Sequence, residues 1–307
     1  MMIRLGLCCM FRDEPIKFGN TTAAAISRLS RDKALAKLSG LCLANAAALL
    51  KSLECCAAHG IGAFRVISQI LPLKTHPLHK YEIAELPAAN EILATFQACK
   101  AFAEKHNLRT SFHPDQFVVL NSQRPEVVAA SIAEIEYQAE VAEWIGADVI
   151  NIHAGGAFGD KAKSLEAFAR TTDLLSPRAR SRLTVENDDK IFTPADLLDL
   201  CRRTGIPLVY DVHHHRCHGD GLSIESATEA ALKTWNREPL FHISSPLEGW
   251  NGPKPQRHHD FVALNDFPTL WLKHKMTVDV EAKAKELAVL KLKQDLAGVF
   301  QNGRKKT

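Results

Sequence analysis

The sequence predicts a single (β/α)8 barrel, and three observations predict it. Short apolar runs alternate with helical patterns eight times along the 307 residues. From the third run onward each ends in a histidine or a carboxylate, and in a barrel such ends gather on one face. No linker or shift in composition marks a second domain, although the length alone would fit one large α/β domain or two small ones. An open doubly wound sheet is the structural alternative, and the placement of the polar residues favours the barrel.

The elements follow in order. Ile3 to Cys9 is a first strand, and the loop from Met10 to about Arg31 is long for a βα connection. A periodic helix runs from about Asp32 to Ala58 and stops at Gly60. The second strand is Ala63 to Ser68, followed by a loop rich in proline and histidine. A helix from Ala88 to Lys105 leads to the third strand, Arg109 to Phe112, which ends at His113-Pro114. The helix Pro125–Trp144 has proline in its first turn. Asp148 to His153 is the fourth strand, and a helix from about Lys163 to Asp173 follows it. Arg182 to Glu186 is the fifth strand, after which Thr193-Pro194 supplies a cap and a first helical residue. The sixth strand follows Gly205 and runs into Tyr210-Asp211-Val212-His213-His214-His215. A helix near Ser226 to Trp235 precedes the seventh strand, Leu240 to Ser244. Thr277 to Glu281 is the eighth, leading into a helix up to Phe300. The expected domain is residues 1–300, with 301–307 a basic disordered tail.

Nearly half the residues are hydrophobic, enough for a sizeable core, and the net charge of +3 permits a nucleic-acid partner without requiring one. The eight cysteines form no C-x-x-C pair and mostly sit in apolar runs, so the expectation is buried free thiols in a reducing compartment. No signal peptide is read at the start, and no apolar run is expected to span a membrane. A soluble cytoplasmic protein, nucleoid-associated and monomeric, is the expectation.

His113, His153, Glu186, Asp211 with His214, His242 and Glu281 lie at consecutive strand ends. Taken singly, each could be a hydrogen-bonded core or loop residue. Taken together, burying so many ionisable groups is costly without compensating charge, which divalent ions would supply. His, Asp and Glu without cysteine suit zinc, manganese or similar ions. Clustered ions are the usual apparatus of phosphodiester hydrolysis, with a carboxylate bridging them, here Glu186. His76 and the segment His258-His259-Asp260 fit the same set.

Phe112-His113-Pro114-Asp115-Gln116, Asn151-Ile152-His153-Ala154-Gly155-Gly156, Val185-Glu186-Asn187-Asp188, Asp211-x-x-His214, His242-Ile243-Ser244-Ser245 and Glu281-Ala282-Lys283 occur in that order. As an ordered set from about Arg4 to Lys285 they resemble the UV damage endonucleases. The resemblance implies a barrel related to endonuclease IV and up to three divalent ions, manganese first, with zinc or magnesium as alternatives. It implies incision 5′ of a photolesion in double-stranded DNA, leaving a 3′-hydroxyl and a 5′-phosphate, with the damaged dinucleotide flipped out. By the same resemblance the ligands are His76, His113, His153, Glu186, Asp211, His214, His242, His258 and Glu281. His258 is preferred to His259 by the family's His-x-Asp spacing. Glu186 and Lys283 are the candidates for catalysis.

Three positions depart from that pattern. The wedge pair is Gln116-Phe117 where the family has Gln-Tyr, so a ring remains for stacking and its hydroxyl is lost. Leu7 stands where the first strand usually ends in a lesion-contacting tyrosine. Leu240 stands where some members carry a carboxylated, metal-holding lysine. Arg65, Lys74, Lys80, Lys254, Arg257, Lys283 and Lys285 are expected near the upper loops, with Arg65, Lys254 and Arg257 as DNA contacts. The rival functions are a metal-dependent sugar isomerase or epimerase on the same barrel, and a damage-binding homologue that does not cut.

Overall fold

The computed structural model describes residues 3–304, with side chains described for residues 3–298. Eight parallel strands form its centre: β1 (Ile3–Cys8), β2 (Ala63–Val66), β3 (Arg109–Phe112), β4 (Val149–His153), β5 (Leu183–Glu186), β6 (Leu208–Val209), β7 (Leu240–Ile243) and β8 (Met276–Val280). Their order is β6-β5-β4-β3-β2-β1-β8-β7, so strands consecutive in sequence lie side by side and β1 pairs with β8. Closure between β6 and β7 rests on the Asp211–His242 bridge, where the His242 N–H donates to the Tyr210 carbonyl at 3.1 Å. The expected barrel is therefore the observed fold.

The helices are α1 (Ala23–Ile26), α2 (Arg31–His59), α3 (Ala89–Lys105), α4 (Pro125–Ile145), α5 (Lys161–Thr172), α6 (Pro177–Arg180), α7 (Pro194–Thr204), α8 (Val212–Cys217), α9 (Ile224–Leu232) and α10 (Glu286–Arg304). Their ends obey local chemistry. Gly60 closes α2 with φ 64°, a conformation that costs glycine little. Thr193 and Asp196 form a reciprocal capping box ahead of α7, with Pro194 in the first turn. The short helices α1, α6 and α8 have too few turns to show a hydrophobic period, and the sequence does not announce them. Residues 301–304, expected as tail, continue α10, with no proline there to stop it. Residues 305–307 of that expected tail lie outside the described residues.

The expectation that no apolar run could span a membrane needs correction. α2 has 29 residues, and a window within it of mean hydropathy 1.4 is apolar enough to cross by length and composition. Here its buried stripe, Leu38, Cys42, Leu49, Leu53 and Cys56, belongs to the main core, and the helix packs against α3 and β2.

Strand side chains alternate between the helical layer and the barrel interior. Val149, Val209 and Leu240 pack together as one apolar interior cluster. Arg109 donates to Thr277 Oγ1 at 3.0 Å and to both oxygens of Asp148. Asp279 is fully buried, and room for it exists because residue 6 has no side chain: a Cβ on Gly6 would collide with Asp279 Oδ1. Gly6→Ala should displace that carboxylate and destabilise the protein by about 1–3 kcal/mol, read as a lower urea midpoint with unchanged slope. An unchanged midpoint would show that Asp279 has room to move.

Candidate metal centre

The carboxyl ends of β3 to β8 bring their expected residues to one place. Among the described residues, three groups have ligand atoms mutually within 4.8 Å: His113–His153–Glu186, Glu186–Asp211–His214, and Asp211–His242–Glu281. Glu186 and Asp211 are each shared by two groups. Glu186 is 1% exposed. Its Oε2 lies 3.1 Å from His113 Nε2 and 4.0 Å from His153 Nε2. Its Oε1 lies 3.2 Å from His242 Nδ1 and 3.3 Å from His214 Nδ1.

The surroundings orient these side chains. His113 Nδ1 donates to the Pro114 carbonyl at 3.1 Å, which leaves Nε2 free to ligate. His214 Nδ1 donates to the Asn187 carbonyl at 3.0 Å, which does the same for its Nε2. Asp211 caps α8, its Oδ1 accepting the His214 N–H at 2.8 Å, and this turn is what aims Asp211 and His214 at one point. Asn187 holds the Asp211 backbone on both sides, accepting its N–H at 3.0 Å and donating to its carbonyl at 2.9 Å. Asn151 donates to Glu186 Oε2 at 2.5 Å and accepts the Thr184 hydroxyl.

The donor set fits divalent ions. Glu186 Oε1, Asp211 Oδ2, His153 Nδ1 and His242 Nδ1 are buried without a hydrogen-bond partner, and native interiors rarely leave so many polar atoms unpaired. Nitrogen and carboxylate ligands without thiolate suit manganese, zinc or magnesium. Burial pushes Glu186 up, but His242 and His153 outweigh it and hold its carboxyl well below the usual range. Burial pushes His153 down, in favour of its neutral, ligating form. Burial also lowers His214, but the Asp211 and Glu186 charges prevail and raise it well above the ordinary histidine value.

Not every expected residue joins the cluster. His258 sits at its rim, Nδ1 3.9 Å from Glu281 Oε2, whereas His259 turns to the backbone of Phe261. His76 lies apart, stacked on His79 at 5.0 Å, in a cleft of about 850 Å3 that Gln116 and Phe117 also line. Phe117 is 76% exposed. Lys283 and Lys254 are exposed, as is Arg257, which reaches Glu248 at 3.5 Å.

Three placements are corrected. Arg65 is not a loop cation facing a duplex. It is buried on β2 inside the barrel, paired with Asp279 and Glu281. Lys74 is also buried, held by Glu82 at 2.7 Å. Leu7 lies in the outer core with Ile3 and Leu5, on the opposite face of β1 from Gly6, so it does not stand where a lesion could be touched. Sequence reasoning gave no role to Asn151 or Asp279, although each lies two residues before an expected ligand on its strand and so shares its face. His213 is a further omission: it is fully buried, with its ring 5.2 Å from that of His258.

The parallel barrel with this cluster at its carboxyl end is a (β/α)8 fold of the shape that endonuclease IV also has. Endonuclease IV from Thermus thermophilus superposes with a TM-score of 0.61 over 83% of this chain and 94% of that one, at 17% identity. The chain belongs to the UV-endonuclease UvdE family, whose model matches residues 3–304. A "UV DNA damage endonuclease" of Bacillus thuringiensis subsp. konkukian (strain 97-27) is 32% identical over 286 residues, 91% of this chain and 89% of that protein. The crystal structure of SacUVDE superposes with a TM-score of 0.84 at 30% identity, covering 97% and 99% of the two chains. The protein is thus an endonuclease of the UV-damage class, as the resemblance implies.

His214 must be neutral to ligate, and in the metal-free protein its proton is held above the ordinary histidine value, so binding of an ion there would release that proton. Stabilisation by Mn2+ should therefore grow as pH rises. At ion concentrations about 100 times Kd it should approach about 2.7 kcal/mol, with a larger rise in Tm at alkaline than at mildly acidic pH. A rise that shrinks on going to alkaline pH would remove His214 from the ligand set.

Proposed function

We propose that this protein is a divalent-metal-dependent repair nuclease that incises duplex DNA 5′ of a UV photolesion, leaving a 3′-hydroxyl and a 5′-phosphate. The observation that carries this is Glu186, whose two oxygens reach into two adjoining groups of potential ligands. The ions, manganese first and up to three in number, would be held by His113, His153, Glu186, Asp211, His214, His242 and Glu281, with His258 at the rim. When bound, they would supply an activated water and charge stabilisation for the leaving oxygen.

The chain's own residues supply the rest. Asn151 fixes the Glu186 carboxylate, and Asn187 fixes the turn that carries Asp211 and His214. Lys283, exposed two residues beyond Glu281, would bring positive charge to the reacting phosphate. Gln116 and the exposed ring of Phe117 would enter the duplex beside the lesion, with His76 in the cleft below them. Lys254 and Arg257, on the loop after β7, would meet phosphates. The protein would act as a single barrel domain and a monomer on chromosomal DNA in the cytoplasm. Nicking of UV-irradiated plasmid in the presence of Mn2+ tests the whole proposal. A sugar isomerase would ignore the plasmid, and a damage binder would retard it uncut.

Glu186→Gln should abolish nicking while leaving duplex binding largely intact, because binding depends on phosphate contacts away from the ions. Full activity in that variant would take Glu186 out of the mechanism. Phe117→Ala should weaken discrimination between damaged and undamaged duplex by about 1–3 kcal/mol, with little change on undamaged DNA. Equal losses on both duplexes in a binding assay would leave the ring no part in lesion recognition.

A further inference from the structure

We infer that Arg65 is a built-in competitor for one of the ions, so that the metal centre has two classes of affinity. The inference rests on the metal-dependent reading above and concerns the Asp211–His242–Glu281 group. The Arg65 guanidinium occupies that group's inner side. Nη1 lies 2.7 Å from Glu281 Oε1, Nη2 3.0 Å from His242 Nε2, and Nε 3.1 Å from Asp279 Oδ2. Two prospective ligands of one ion are therefore already engaged by a fixed positive charge. Among the described residues, no lysine or arginine is paired with His113, His153 or Glu186.

The hydrogen bond to His242 has a chemical consequence. A guanidinium only donates, so His242 Nε2 accepts from it through its lone pair. A neutral ring then carries its proton on Nδ1, the atom facing Glu186 Oε1 at 3.2 Å and Glu281 Oε1 at 3.3 Å. A protonated Nδ1 cannot ligate. Ion binding there requires the other tautomer: the ring gives up the Nδ1 proton and takes one on Nε2, so it stays neutral. Nε2 then needs an acceptor in place of the arginine donor. Asp279 Oδ2 stands 3.9 Å away, and Asp279 Oδ1 is buried without a partner. A carboxylate receiving the far N–H of a ligating histidine is the usual arrangement around bound metal. The site is thus furnished for two states. In one, Arg65 holds His242 and Glu281. In the other, Arg65 keeps only Asp279 and the ion takes both.

The test is calorimetric titration of the metal-free full-length protein with Mn2+. Wild type should show a tight class and a weaker class of sites. In Arg65→Gln the weaker class should tighten by roughly tenfold or more, with the tight class unchanged. The metal-free melting temperature should fall, because Asp279 and Glu281 lose their partner. Arg65→Lys guards against misfolding: it keeps a positive partner for Asp279 but cannot make all three contacts, and it should tighten the weaker class by a smaller factor. A single affinity class in wild type overturns the inference, whatever the variants do. So does a weaker class that is unchanged or weakened in Arg65→Gln or Arg65→Lys, since Arg65 would then support the ion. Wild type that binds no Mn2+ at all removes the metal-dependent reading itself, and the inference with it.

Discussion

Everything at the carboxyl end of the barrel depends on one buried carboxylate. Glu186 ends β5 almost fully shielded from water, with His113, His153, His214 and His242 around it and Asn151 fixing one oxygen. An isolated charge in such a place is costly, and shedding one partner of a buried ionic set costs several kcal/mol because the other is left uncompensated. The imidazoles offset part of that cost in the metal-free protein, which is why the carboxyl is held low. The same four rings would be ligands for an ion. At His214, whose proton the Asp211 and Glu186 charges hold, proton and metal ion would compete for one position.

The backbone sets the distances. Strands β3 to β5 deliver His113, His153 and Glu186 from adjacent positions, with His153 and Glu186 in direct register. β6 would overshoot if it continued, and it does not: Asp211 leaves the strand, caps α8, and brings His214 back over Glu186. The bridge between Asp211 and His242 then closes the barrel and places a ligand on each side of the seam. The contact that closes the barrel is thus also a contact between two residues of the candidate site.

The strand ends were legible because a polar residue closing an apolar run is unusual and recurred. What lay inside the barrel was not. β2 is buried on both faces, so its sequence carries no alternation to say whether Arg65 or Phe64 points inward. Placed near an expected loop, Arg65 reads as a surface cation. Asn151 and Asp279 share a face with expected ligands, and that two-residue parity could have marked them as supports. Leu7 was misplaced for a related reason: one residue along a strand reverses the side chain's direction. His76 and His258 belong to loops, whose course periodicity does not predict.

Leu240 shows how the interior divides its labour. It shares the interior face with His242, two residues further along β7, and its neighbours Val149 and Val209 fill the space around it. At the carboxyl end of β7 and β8, next to His242, the negative charge is carried by Asp279 and Glu281. Balancing it falls to Arg65, whose three contacts span both carboxylates and His242. A positive side chain deep in the barrel thus goes together with an apolar layer under β7. An uncarboxylated lysine at 240 would set a second cation beneath that histidine, and Arg65 would then share the balancing of the two carboxylates.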